Sequence, residues 1–253
     1  MLVHERLDTI LQLVKTHGKV MVKDLSEQFE VTEDCIRKDL KNLELQGFLK
    51  RIYGGAVDVK NYSTEKNLET RLGKDAENKM KIATKAYECI QPRDTIFLDI
   101  STTNVLLARC IAQGNKPMTV VTNMLDILNT LAHSNHINII CCGGILSTSL
   151  HGFVGSSAIE TISNYNFDKS FIGSVGISLS KKLISTFDME DGLTKKAIIE
   201  HSQQVYAVLE NKKFYSEGNY KFASLDQIHT IITEDTPDTD VQAQLEEMGV
   251  ALL

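Results

Sequence analysis

The chain has 253 residues, 42% of them hydrophobic and 24% charged, and a formal net charge of -6. That composition excludes a collagen-like or highly charged disordered chain, and no run approaches the roughly 20 apolar residues of a membrane span. The length suits one small and one large domain, and the acid-bearing start "MLVHERLDTI" lacks the apolar core of a secretory signal, so a cytoplasmic location is expected.

Charge is uneven along the chain. Residues 1–57 hold 9 Lys+Arg and 9 Asp+Glu, so the net negative charge falls entirely on the remainder. An anionic partner of the N-terminal segment would have to be held by local placement of bases rather than by bulk charge. The five cysteines, Cys35, Cys89, Cys110, Cys141 and Cys142, show no C-x-x-C spacing near histidines, so neither a disulfide framework nor a zinc site is expected.

Val3, Leu7, Ile10, Leu11 and Val14 recur at helical spacing, with Gly18 as a stop. "KVMV" then alternates briefly. In "KDLSEQFEV", Leu25 and Phe29 lie four apart and predict a second, short helix. Thr32 is a good N-cap for a third, whose buried face is Ile36, Leu40 and Leu43. Asp34, Lys38, Lys41 and Leu45 lie opposite, with Arg37 on the flank. Glu33 and Asp34 occupy the first turn, where carboxylates suit the positive end of the helix dipole. Gly47 is expected to end this helix, and "FLKRIYGGAV" reads as a hairpin around Gly54-Gly55.

Helix, short strand, helix, turn, helix, hairpin is the order of a winged helix-turn-helix, in which the third helix enters the DNA major groove and the hairpin follows the phosphates. The candidate DNA contacts are Asp34, Arg37, Lys38 and Lys41 on the helix and Lys50, Arg51 and Tyr53 on the wing. Asp34 would either accept from a cytosine amino group or repel phosphates at wrong registers. Charge spacing alone suits a solvated face equally well, and the order of elements is what favours DNA.

The stretch Val31 to Val57 resembles the signature of the DeoR family of bacterial transcription regulators, approximately Val-Ser-x-x-Thr-Ile-Arg-Arg-Asp-Leu, then Leu-Glu, Gly and Arg-x-x-Gly-Gly-Ala. Val31, Ile36, Arg37, Asp39, Leu40, Leu43, Glu44, Gly47, Arg51, Gly54, Gly55 and Ala56 fit it. The resemblance adds Thr32 and Cys35 to the DNA contacts, in place of the family's Ser and Thr. Lys38 stands where the family has Arg and lacks the bidentate guanine contact, and Cys35 removes a hydroxyl.

Residues 58–75 are polar and weakly patterned, a hinge that becomes helical toward its end. The expected domains are therefore 1–57 and 76–253. In "ENKMKIATKAYECI", Met80, Ala83, Tyr87 and Ile90 are spaced for a helix. Strand-like runs follow, "TIFLD", "MTVVTN", "INIICC", "SFIGSVGI", "VYAVLE" and "TIIT", alternating with helical patterns such as "TNVLLARCIAQ", "MLDILNTLAHS" and "GLTKKAIIEHSQ". The fold class expected is an α/β domain with a mostly parallel sheet behind a small winged helix-turn-helix.

Small polar residues cluster where the strands end: Asp99, Ser101, Thr102 and Thr103 after "TIFL", Thr122 and Asn123 after "TVV", Gly143 and Gly144 after "NIICC". Ligands of such sheets bind beyond the carboxyl ends of the strands, and "DISTTN" opening a helix is a candidate phosphate cradle. Helix capping alone also explains Ser101 and Thr102.

This region is similar to the DeoR family's C-terminal sensor domain, itself related to ribose 5-phosphate isomerase. The family patterns Asp-Ser-Gly-Thr-Thr, Thr-Asn, Gly-Gly, Asp-Lys-x-Phe-x-Gly and Lys-Phe lie on Asp99 to Thr103, Thr122-Asn123, Gly143-Gly144, Asp168 to Gly173 and Lys213-Phe214. The resemblance implies a phosphorylated sugar or sugar-like metabolite as effector, bound by Asp99, Ser101, Thr102, Thr103, Asn123, Gly143, Gly144 and Lys213. Ser101 replaces a family glycine, and Glu210, Asn211 and Lys212 stand where Asp, Ser and Ser are usual. Lys212 beside Lys213 is expected to add positive charge there.

An isomerase needs a general acid and base. The related isomerases carry them on an acid-rich turn, yet Lys169 to Phe187 contains no Asp or Glu. No G-x-S-x-G elbow supports a serine hydrolase. The expectation is a regulator, not an enzyme, without cofactor or metal, whose partners are double-stranded operator DNA, a phosphorylated metabolite and further copies of itself. The other class kept open is a sugar phosphate isomerase with an accessory nucleic-acid-binding domain.

Overall fold

The computed structural model describes residues 3–46, 48–58 and 68–253, and the chain divides into two compact units, Met1–Arg71 and Leu72–Leu253. Gly47 and most of the expected hinge, residues 59–67, lie outside the described residues.

The smaller unit runs α1 (Val3–His17), β1 (Lys19–Met21), α2 (Val22–Phe29), α3 (Glu33–Leu45), β2 (Leu49–Ile52) and β3 (Gly55–Asp58). The strands form an antiparallel sheet in the order β1-β3-β2. The helical spacing places Leu7, Ile10, Val14, Leu25, Ile36, Leu40 and Leu43 in one core with Leu49 and Ala56 of the hairpin. Thr32 caps α3 by accepting from the Cys35 N–H at 3.3 Å. Gly54, at φ +76°, supplies the left-handed residue that the tight hairpin turn requires.

One polar contact reaches into this core. Arg6 of α1 donates Nε to Asp39 Oδ2 at 2.7 Å and Nη2 to Asp39 Oδ1 at 3.3 Å, with both side chains over nine-tenths buried. The fork fixes the rotation and register of α3 against α1 more sharply than apolar packing does, because a guanidinium and a carboxylate meet in one geometry.

A short helix, α4 (Leu68–Gly73), spans the division, and the larger unit then runs α5 (Ala76–Cys89), β4 (Thr95–Leu98), α6 (Thr102–Gln113), β5 (Met118–Thr122), α7 (Leu125–Leu131) and β6 (Ile137–Cys141). A ribbon of β7 (Ile145–Ser147) and β8 (Gly152–Val154) leads to α8 (Ser156–Ser163) and β9 (Phe167–Ile172). Then come β10 (Gly176–Ser178), β11 (Leu183–Thr186), α9 (Met189–Glu200) and β12 (Ser202–Val208). The chain continues through a 3-10 turn (Asn211–Tyr215), β13 (Tyr220–Ser224), β14 (Thr230–Ile232), α10 (Thr239–Glu247) and β15 (Ala251–Leu252).

Seven strands make one parallel sheet in the order β15-β14-β12-β9-β4-β5-β6. Strands covered on both faces need continuous apolar runs, and Ile96, Phe97, Leu98, Val120, Val121, Phe171 and Ile172 are accordingly buried. The chain winds outward from β4 through β5 to β6, then returns to β4's other side at β9 and winds the opposite way. The reversal lies between β4 and β9, the place where such sheets open a crevice at their carboxyl edge.

Local details depart from the sequence expectation. "SFIGSVGI" is two strands, β9 in the large sheet and β10 in a separate antiparallel sheet of order β10-β11-β13. Met80 is exposed, because the buried face of α5 is Lys79, Ile82, Ala83 and Ala86. Cys141 ends β6 and is exposed, whereas Cys142, just beyond the strand, is buried.

Replacing Asp39 by Ala leaves the Arg6 guanidinium without its carboxylate and is expected to cost about 3 kcal/mol. Denaturant unfolding of the full chain will show this as an earlier transition of the smaller unit, with that of the larger unit unmoved.

Candidate functional site

On α3, Lys38 and Lys41 stand exposed without an ion pair among the described residues. Arg37 is differently placed, donating Nη1 to Asp34 Oδ1 at 2.7 Å and Nη2 to Glu33 Oε2. Cys35 turns inward: it is half-buried, and its Sγ accepts from Arg6 Nη2 at 3.2 Å. Lys50 and Arg51 lie on β2 and exposed Tyr53 at the hairpin turn, so helix and wing residues occur in one small unit.

Glu44 joins wing to helix, a role that its place in the sequence did not reveal. Its carboxylate accepts the Arg51 backbone N–H at 2.9 Å and Arg51 Nε at 2.8 Å, and pairs with Lys50 Nζ at 3.2 Å. Burial alone would raise its pKa, but the donors from Arg51 and Lys50 outweigh it and hold the carboxyl at about 2.

At the carboxyl edge of the large sheet the sequence-derived candidates fall in strand order: Gly143 and Gly144 after β6, Asn123 after β5, Asp99 to Thr103 after β4, and Lys213 in the turn after β12. Ser101 caps α6, its Oγ accepting from Asn104 N at 3.1 Å, and Thr102 and Thr103 are buried in the first turn. Gly144 has φ +146°, and a Cβ there would lie 2.8 Å from the Val154 carbonyl oxygen, so this glycine is required; a Cβ on Gly143 would meet nothing within 4 Å. Half-buried Lys213 donates its backbone N–H to Glu210 O at 2.8 Å.

Asp99 sits at the β4/β9 reversal with almost no exposure, and its two oxygens accept from the Gly173 N–H at 3.0 and 3.1 Å. Asn104 Nδ2 reaches Asp99 Oδ1 at 2.6 Å and the Phe171 carbonyl at 2.8 Å, stitching the two strand ends together. Lys195 of α9, also buried, donates to Asp99 Oδ2 and pairs with Asp191 at 3.2 Å, while Thr186 Oγ1 donates to Asp191 Oδ2 at 2.8 Å. Burial pushes the Asp99 carboxyl up to about 6 against the pull of Lys195. At Lys195 burial works the other way, but Asp191 and Asp99 together outweigh it and keep the ammonium charged.

Lys195, Asp191, Asn104 and Gly173 were not among the sequence candidates. The signal for the first two was present as a carboxylate and an ammonium spaced i, i+4 in "DGLTKKAII", but Lys195 and Lys196 are equivalent on paper. Only the packed helix separates them, one side chain 3% exposed and the other 58%.

Lys212, expected to lend positive charge, is tied instead to Asp75 at the start of α5 and to Glu210 at 2.8 Å. Buried Asn104 Oδ1 and Asn123 Oδ1 have no protein partner, and an unpaired buried acceptor calls for a donor. Two surface hollows, of about 410 and 460 Å³, are lined by Thr233, Leu245 and Leu252 and by Arg93, Pro117 and His136, away from Asp99 and Asn123. Among the described residues no His, Cys, Asp and Glu cluster suits a metal ion, and no helix is long and apolar enough to cross a membrane.

A Cβ on Gly173 would lie 2.4 Å from Ser101 Cβ. Gly173→Ala should therefore destabilise the larger unit by about 1–3 kcal/mol, and Ser101→Gly in the same chain should restore most of it, since Gly caps nearly as well as Ser. Thermal unfolding of the single and double variants checks this. The depressed Glu44 carboxyl contributes stability above its ordinary value of 4.5 that is lost as pH falls toward about 2. Denaturation across that window should show the smaller unit weakening with acid, and Glu44→Gln should flatten the dependence.

The chain matches two family models, the DeoR-like helix-turn-helix domain over residues 6–61 and the DeoR C terminal sensor domain over residues 74–235. It is 33% identical to the HTH-type transcriptional repressor GlcR of Bacillus subtilis (strain 168), covering 98% of this chain and 95% of that one. It is 31% identical to the Glycerol-3-phosphate regulon repressor of Escherichia coli (strain K12), covering 98% and 97%. Among solved structures, the full-length sorbitol operon regulator SorC of Klebsiella pneumoniae aligns at TM-score 0.40 and 13% identity, over 94% of this chain and 97% of that one. With both family models matched in order and relatives aligned nearly end to end, the chain belongs to the DeoR family of transcription regulators.

Proposed function

We propose that the chain is a DNA-binding repressor of a sugar catabolic operon, controlled by a phosphorylated sugar-like metabolite. The observation that carries this reading is a capped α3, locked to α1 by Arg6 and Asp39 and presenting Lys38 and Lys41, in one chain with a sheet whose polar residues gather at its reversal point. Residues 1–57 bind operator DNA, 76–253 bind the effector, and the residues between link the two. A relative named for glycerol-3-phosphate, a small phosphorylated polyol, supports that effector class.

Effector phosphate is assigned to the first turn of α6 at Ser101, Thr102 and Thr103 and to Lys213, and effector hydroxyls to the unpaired acceptors Asn104 Oδ1 and Asn123 Oδ1. The effector shifts the population competent to bind DNA. Membership of the family implies that further copies of the chain read paired or repeated half-sites, an arrangement consistent with dimeric helix-turn-helix geometry.

Turnover is disfavoured by the chemistry around Asp99. A general base needs a free lone pair, whereas both Asp99 oxygens are occupied by donors from Asn104, Gly173 and Lys195, and Lys195 is held protonated. The cluster anchors the sheet edge, and neither Asp99 nor Lys195 offers an unoccupied base.

The test is a split in two assays. Arg37→Ala should weaken operator binding in a gel shift roughly 5- to 150-fold with metabolite affinity unchanged, as expected for one lost bidentate contact. Lys213→Ala should leave DNA binding intact and remove the thermal shift produced by phosphosugars. An unaltered phosphosugar response in Lys213→Ala overturns the placement of the phosphate.

A further inference from the structure

The exposed face of α3 is less basic in space than in sequence, and Arg37 is the reason. Its planar fork suits the O6 and N7 acceptors of guanine, but in the free protein it already grips Asp34 at i-3 and Glu33 at i-4. The side chains of Arg37, Glu33 and Asp34 are 54%, 48% and 81% exposed, so DNA entering this face meets the three as a unit carrying two negative charges and one positive.

In water such pairs are weak and screened by salt. Against a duplex they are not, because displaced solvent strengthens every charge interaction. A phosphate approaching Arg37 competes with two carboxylates that already neutralise it, and is itself repelled by both. A guanine edge is uncharged and meets no such repulsion. The clamp engages one N–H on each terminal nitrogen of Arg37 and leaves another on each, so the guanidinium can remain held while it donates to a base.

We propose that Glu33 and Asp34 are specificity-determining residues, a carboxylate clamp that orients Arg37 toward the neutral acceptors of a base pair and penalises its use on phosphate. The inference rests on the DNA-binding reading and deepens it: Lys38 and Lys41 supply sequence-independent attraction, and the clamped arginine supplies discrimination.

The experiment uses the full chain, a duplex selected by the wild-type protein from a randomised library, and a scrambled duplex of the same length and composition. In Glu33→Gln/Asp34→Asn the scrambled duplex should bind roughly 5- to 30-fold more tightly, and the ratio of selected to scrambled affinity should fall by at least roughly 3-fold. The salt slope on scrambled DNA should steepen by roughly one, as Arg37 gains a phosphate contact. In an Arg37→Ala background the same two changes should leave the ratio of the two affinities where it was.

Equal tightening on both duplexes, or a fall in discrimination that persists without Arg37, overturns the clamp and leaves only bulk charge. Asp34→Asn alone, which keeps Glu33 in the first turn, should shift the ratio in the same direction by less, so a folding defect of the double change does not decide the matter. A wild-type protein that enriches no sequence from the library overturns the DNA-binding reading itself, a result separable from all of these.

Discussion

The carboxylate of Asp99 is the point on which the larger unit closes. A parallel sheet wound in two directions from its centre has a seam where the first strand meets the one that starts the return. Nothing in the ladder alone covers the groups at its end. Here the seam is β4 against β9, and Asp99 spans it by accepting the Gly173 N–H while Asn104 reaches the Phe171 carbonyl. A charge in that position requires a counter-charge, which Lys195 brings from α9, and Lys195 in turn draws in Asp191 and Thr186. Sheet, cap and helix are thus joined through one buried ion.

The smaller unit uses the same device at smaller scale. Arg6 and Asp39 orient α3, and Glu44 on the same helix holds the wing through Arg51 and Lys50. Two acids of one helix therefore set the geometry of a surface meant for an anion. Asp39 acts through buried Arg6, whereas Glu44 holds the wing bases Lys50 and Arg51 directly, and a base so held loses less rotamer freedom when DNA arrives.

Much of this was legible in the sequence because it depends on local periodicity. Ile36, Leu40 and Leu43 could face only one way, Thr32 stood where a cap was needed, and apolar runs such as "TIFL" and "TVV" end in polar residues that necessarily reach one edge of a parallel sheet. What escaped depends on contacts distant in the chain. Arg6 and Asp39 are 33 residues apart and Lys195 and Asp99 are 96 apart, and neither separation leaves a local pattern. The strands of the β10-β11-β13 sheet span only three to five residues each, too short for alternation to stand out. Cys35 falls on the helix flank, where periodicity does not separate an outward thiol from one aimed at Arg6.

The seam also has a kinetic side. Gly173 and Asp99 are 74 residues apart, and β4 pairs with β9 only after β5, β6 and the β7-β8 ribbon have been bypassed. Closing so long a loop pays its entropy before any contact repays it, so such pairings form late in folding. The sheet edge that holds the candidate effector residues is accordingly completed among the last events. A nascent or partly folded chain can carry a finished helix-turn-helix unit while its sensor domain is still unmade, so during synthesis the DNA-binding unit would be completed before the unit that matches the sensor domain.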